Sequence, residues 1–199
     1  MLTLAFDTAT DVATIAVVRD AEPLGERLSK PSRLLADLDE LLATLGVDHG
    51  NLDRIVVGTG PGSYTGLRMG LITARVLSFT LDLPVAGVST LDALARGAPG
   101  AVPVLDARRR EIFALVDGVP VVTAPAELDY APGTTLVGDG AVRHRELFER
   151  RSAAIPPEDD LRHVPWARHH AALAERFGSP DLAEPIYLRV PDAERALKA

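Results

Sequence analysis

The chain has 199 residues, 47% of them hydrophobic and 25% charged, a composition that can bury a core as one domain or two small ones and reads as globular. It contains no cysteine, which excludes disulfides, thiolate zinc sites and a cysteine nucleophile. The net charge of −7 is spread over both halves, so neither is a basic platform able to grip nucleic acid by itself.

Asp7 interrupts the first apolar run, and no later run approaches the roughly 18 residues of a membrane span, so the expectation is a cytoplasmic protein without a targeting segment or membrane partner. Residues 2–6 and 12–18 are apolar or alternating runs joined around Thr10-Asp11, a predicted hairpin, with a third strand at 24–29. Ser32 is positioned to cap a helix over 32–45, ended near Gly46. A strand at 55–58, a helix at 65–81, a strand at 84–87 and a helix at 89–95 follow. Gly97-Ala-Pro-Gly100 then marks a boundary, which divides the chain into expected lobes of residues 1–98 and 101–199. Beyond it, strands at 102–105, 112–116 and 119–123 repeat the opening pattern, before turn-rich sequence, a short strand at 135–137 and a helix at 141–150. Patterning thus gives an α/β protein with a duplicated look and a shortened second half.

Between the strand at 55–58 and the next helix lies Gly58-Thr-Gly-Pro-Gly-Ser-Tyr-Thr-Gly-Leu-Arg-Met-Gly70. Glycines there allow close backbone approach, and the helix start offers unpaired N–H donors to an anion. No lysine follows as in a Walker loop, the spacing is not G-x-G-x-x-G, and Ser63 directly follows Gly62, so it is not a nucleophile elbow either.

Six strings occur in one order along the chain: Met1-Leu-Thr-Leu-Ala-Phe-Asp-Thr-Ala-Thr10, Gly60-Pro-Gly-Ser-Tyr-Thr-Gly-Leu-Arg68, Val88-Ser-Thr-Leu-Asp-Ala-Leu-Ala95, Val104-Leu-Asp-Ala-Arg-Arg-Arg-Glu111, Gly138-Asp-Gly140 and Pro185-Ile-Tyr-Leu-Arg189. Together they closely resemble the TsaB (YeaZ) family, and the opening strings carry most of the match. The resemblance implies an actin-like (ASKHA) duplicated fold of two lobes. It also implies a non-catalytic scaffold or activating subunit for the complex that places a threonylcarbamoyl group on the adenosine beside the tRNA anticodon. The implied partners are a catalytic TsaD-like subunit and a TsaE-like ATPase. The resemblance further implies a homodimer when the chain is alone, with tRNA met only through the complex. No intrinsic cofactor is implied, ATP or ADP being left to the assembled complex.

By the same resemblance, Asp7 and Thr8 at the first hairpin, Gly60, Gly62, Ser63, Gly66 and Arg68 in the loop, and Gly138 and Gly140 before the last helix are the nucleotide-facing candidates. Asp7 closing a turn through its own side chain is the competing structural reading. Asp106-Ala-Arg-Arg-Arg-Glu111 is a second acidic turn whose arginines either are solvated or meet an acidic partner. The five histidines form no i, i+4 pair, so no metal site and no catalytic residue is legible. Two other classes stay open: an ATP-dependent phosphotransferase using Asp7 and the 60–66 loop, and a peptidase using Ser63.

The stretch 65–83 is apolar on two opposed faces at helical spacing: Leu67, Gly70, Leu71, Ala74, Leu77 and Leu81 on one side, and Met69, Ile72, Val76, Phe79 and Leu83 on the other. One face covers a sheet and the other needs a further partner. Small residues at Gly66, Gly70 and Ala74 make the first face the expected partner surface, with Leu67, Leu71, Leu77 and, from the preceding helix, Leu35, Leu38 and Leu42.

Overall fold

The computed structural model describes residues 1–188; Arg189, and with it the end of the last family-like string and of the expected second lobe, lies outside them. Strands β1 (Leu2–Asp7), β2 (Ala13–Arg19), β3 (Glu22–Ser29), β4 (Arg54–Gly58) and β5 (Val85–Val88) form one sheet in the order β3-β2-β1-β4-β5. β1 runs antiparallel to β2 and parallel to β4, and all six of its residues are buried. That is the reason for its near-continuous apolar sequence, since both of its faces are covered.

The two faces differ in side-chain size. Leu4, Phe6, Ile15, Val17, Ile55 and Val57 point to one side, where α1 (Leu34–Thr44) and α2 (Tyr64–Leu81) contribute Leu38, Leu42, Leu71 and Ala74. Ala5, Ala16 and Ala86 lie on the other side with Val18, Val56 and Val88, beneath α6 (Ala167–Leu173). Alternation along a strand sorts the residues in this way, and the alanines let α6 approach closely.

A second sheet, ordered β8-β7-β6-β9, is built from β6 (Val102–Asp106), β7 (Ile112–Val116), β8 (Val119–Thr123) and the short β9 (Leu136–Val137). Two sheets of five and four strands, each opening with an antiparallel meander, make the two-lobed actin-like arrangement, with the second lobe the smaller. α3 (Thr90–Gly97) ties them together: Leu91 and Leu94 share a core with Leu105, Phe113 and Val137 of the second sheet.

Two local expectations are corrected, and one element was not expected. Ser32 caps nothing, because Pro31 starts a 3₁₀ turn over Pro31–Arg33 and α1 begins only at Leu34. The predicted helix at 141–150 is two pieces, α4 (Asp139–Arg143) and α5 (Arg145–Arg150), broken at His144. Each piece has its own anchor: Gly140 lies against the backbone of β6, while Phe148 fills the core of the second lobe. α6 has no counterpart in the expected elements; seven residues are too few for a legible period.

Candidate functional site

Between the lobes lies a cleft, the larger part of which is a cavity of about 520 Å³. Its walls come from the β1–β2 turn (Thr10, Asp11), the start of α2 (Ser63, Tyr64), the β6–β7 turn (Asp106, Arg108), Phe113, Asp139 and the C-terminal stretch carrying Tyr187. Tyr187 is held in place because the amide of Ile186 donates to the carbonyl of Thr59 at 2.8 Å and its ring sits 5.6 Å from that of Tyr64.

Among the nucleotide-facing candidates, only Gly62 and Ser63 belong to this wall. Asp7 and Thr8 are buried. The Asp7 carboxylate accepts from the amide of Ala9 at 2.6 Å, the turn-closing contact, and from the Thr90 hydroxyl at 2.6 Å. Its Oδ2 also lies 2.7 Å from Nε2 of His170, an ion-pair contact whose alignment falls short of a hydrogen bond. His170 comes from α6, 163 residues later in the chain, and is fully buried. Burial would raise the Asp7 pKa; the His170 charge and the Thr90 and Ala9 hydrogen bonds overcome this and hold the carboxyl below its ordinary value. The expectation that Asp7 faces a nucleotide is therefore corrected. Its carboxylate is already engaged inside the protein, and the alanine-rich face of the first sheet is what lets α6 bring His170 against it.

The glycine loop is likewise filled by the chain itself. The Ser63 amide donates to the Ala9 carbonyl at 2.7 Å, and the Thr8 hydroxyl donates to the Gly66 carbonyl at 2.7 Å. A Cβ added at Gly62 would lie 2.2 Å from the Ala9 carbonyl oxygen, and one at Gly66 would lie 2.1 Å from that of Thr8. These glycines serve close approach of the loop to the β1–β2 turn, where an anion was expected. Ser63 is the N-cap of α2, its hydroxyl accepting from Gly66 N at 3.3 Å. Gly60 is buried with φ of 89°, and a Cβ there would lie 2.9 Å from the Leu67 side chain. Arg68 stacks over the Tyr64 ring at 4.1 Å.

In the second lobe, Gly138 and Gly140 are packed against the backbone of β6, and Asp139 between them is the residue that reaches the cleft. Its Oδ1 accepts from the Asp106 amide at 2.9 Å, yet burial, aided by the nearby Asp106 charge, pushes its pKa up to about 6. The Asp106 carboxylate lies 3.1 Å from Arg108 and 3.2 Å from Arg143. Arg108 also meets Asp11 across the cleft at 2.7 Å, the contact that chiefly raises its pKa. The turn arginine Arg108 thus has named partners within the chain. Sequence reasoning missed Asp11, Phe113, Asp139 and Tyr187 as cleft residues and His170 as the partner of Asp7; their convergence from five segments leaves no local pattern.

α2 carries a further corrected expectation. Gly66, Leu67, Gly70, Leu71 and Ala74 are buried, as are Leu38 and Leu42 of α1, while Leu77 is partly buried against the same core. The small residues accommodate Thr8, whose Oγ1 would lie 2.3 Å from a Cβ at Gly70, so this face is closed to a partner helix. The open face is the opposite one, with Ile72 58%, Val76 57% and Phe79 91% exposed. Of the expected interface residues, Leu35 is the one on the surface, at 54%; the Pro31–Arg33 turn just before it lies against α2.

The family model described as TsaD, tRNA N6-adenosine threonylcarbamoyltransferase, matches residues 31–143. A protein of Mycobacterium tuberculosis is 37% identical over 205 residues, a match that covers 96% of this chain and 93% of the relative. The tRNA threonylcarbamoyladenosine biosynthesis protein TsaB of Escherichia coli is 36% identical over 123 residues, 57% of this chain and 53% of that protein. Among solved structures, YeaZ from Pseudomonas aeruginosa superimposes with a TM-score of 0.76 at 26% identity, covering 94% of this chain and 99% of that one.

Proposed function

This chain belongs to the TsaB (YeaZ) family, and from that premise we propose that it is a non-catalytic subunit in tRNA threonylcarbamoyladenosine biosynthesis that acts by docking on a TsaD-like catalytic subunit. The observation that carries the reading is the exposed stripe of Ile72, Val76 and Phe79 on a helix whose other face is already buried. A contiguous row of large apolar side chains left in water marks a protein interface. Fully burying one such side chain stabilises by about 1.5–3 kcal/mol, so three supply roughly 4–9 kcal/mol against the cost of association. In this reading Leu35, exposed just after the turn that lies against α2, belongs to the partner surface too.

Support also comes from the internal engagement of the two side chains that rival readings would use. A phosphotransferase would need Asp7, which is buried against Ala9, Thr90 and His170; a peptidase would need the Ser63 hydroxyl, which caps α2. In this reading the TsaE-like ATPase, ATP or ADP, and tRNA meet the assembled complex in the cytoplasm, and the stripe pairs two copies of the chain when the catalytic subunit is absent.

The test uses Phe79→Glu and Val76→Glu, each checked for folding by circular dichroism. Both side chains are exposed, so thermal stability stays within about 0.5 kcal/mol of the parent. Titration calorimetry with the TsaD-like subunit of the same cell should show pairing weakened by at least about 30-fold, the equivalent of about 2 kcal/mol for losing one central anchor. Undiminished pairing by both variants would remove this surface from the interface and the reading with it.

A further inference from the structure

The turn between β6 and β7 adopts a backbone that its residues disfavour. Arg108, Arg109 and Arg110 have φ of 60°, 54° and 65°, three successive left-handed residues without a glycine. L side chains visit this region singly, and a run of three persists only where the surroundings over-determine it. The amide of Arg108 donates to Asp106 Oδ1 at 2.9 Å, and the amide of Glu111 donates to the Arg108 carbonyl at 3.0 Å, so the turn is pinned from within.

What the conformation achieves is the placement of one guanidinium. Nη2 of Arg108 donates to both carboxylate oxygens of Asp11 at 2.7 Å, while Nη1 rests 3.1 Å from Asp106 Oδ2. Asp11 stands on the β1–β2 turn of the first lobe, and Arg108 and Asp106 belong to the second. Asp106 has a side chain only 5% exposed, so it fixes the guanidinium from below, whereas Asp11 at 73% is the exposed partner. A second cavity of about 420 Å³ lies beside the first, and both are lined by Thr10, Asp11, Asp106, Arg108 and Asp139. The bridge therefore stands between two compartments of one cleft.

We propose that the Arg108–Asp11 pair is an ionic latch that holds the two lobes closed across the cleft, doing with the protein's own charges what a ligand spanning the lobes would otherwise do. The apolar seam of Leu91, Leu94, Leu105 and Phe113 joins the lobes without charge and serves as the hinge. Because the Asp11 and Arg108 side chains are 73% and 51% exposed, the latch weakens with salt. It needs no second protein and holds whether or not the chain docks on a TsaD-like subunit.

The absence of cysteine allows two introduced thiols to be labelled uniquely. Ala43→Cys in α1 and Val119→Cys in β8 are exposed and stand on different lobes away from the latch. Nitroxide labels at these positions report the interlobe distance by pulsed electron resonance. In about 0.01 M salt, where the Debye length is about 30 Å, the labelled parent should show chiefly the short distance with a minor longer-distance population; in about 1 M salt, where it is about 3 Å, that longer-distance population should grow. Arg108→Met and Asp11→Asn should each show that population at low salt, raised ~2–5-fold over the parent and insensitive to further salt, the range of an exposed ion pair. Distributions of both variants that superimpose on the parent at low salt would overturn the latch. Should Arg108→Met fail to fold, Asp11→Asn, at an exposed turn position, still decides the matter.

Discussion

His170→Ala removes the partner of a carboxylate that stays buried. Asp7 is 1% exposed in the parent and would keep its contacts to the Ala9 amide and the Thr90 hydroxyl, but its charge would lack the imidazole now 2.7 Å away. Breaking a buried pair from one side costs about 3–5 kcal/mol, a large share of the roughly 5–15 kcal/mol that holds a domain folded. For a chain of this size that corresponds to a melting temperature lower by about 6–20 °C. Asp7→Asn in the same background should recover much of the loss, since the amide oxygen still accepts from Ala9 and no charge is stranded. Guanidinium denaturation of the parent, the two single variants and the double variant at pH 7.5 gives the coupling directly. The sign with pH follows from a folded pKa held below the ordinary 3.8: the contribution of Asp7 is complete above about pH 4 and is lost as pH falls through the lower, folded value. His170→Ala should abolish that acid-side loss. A cost below about 1 kcal/mol for His170→Ala, or an Asp7→Asn effect equal in both backgrounds, would refute the buried pair as an energetic unit.

Asp139→Asn should stabilise the protein by about 1–3 kcal/mol at pH 7.5 and have little effect at pH 4. The parent's carboxyl, at about 6 when folded against 3.8 unfolded, penalises the fold progressively as pH rises between those values, and chemical denaturation at the two pH values checks the difference. Gly66→Ala should cost more than about 3 kcal/mol or abolish soluble expression, because the new methyl would sit 2.1 Å from a backbone carbonyl that has no room to yield; thermal melts of the purified variant read the loss. Leu34→Glu, at a side chain 2% exposed, should damage folding itself, in contrast to Phe79→Glu, which should spare folding and weaken pairing; circular dichroism separates the two.

The order of strands and helices in the first lobe could be read from the chain because its signals are local: the alternating run of β2, the uninterrupted apolar β1, the glycine that ends α1 and the apolar period of α2. The family-like strings were legible for the same reason, being contiguous. Periodicity also showed that α2 has two apolar faces, but it carries no information about which one the chain covers. That was decided by Thr8, whose side chain fills the space above Gly70, so the small-residue face closed and the Ile72–Val76–Phe79 face stayed open. The fate of Asp7 was decided in the same way. Its turn is written in residues 7–10, whereas the histidine that faces it arrives on a seven-residue helix brought down by the alanine face of the sheet. A sequence sets the inventory of charges and apolar faces; which of them are satisfied internally depends on close approach between distant segments, and that is fixed only when the chain is packed.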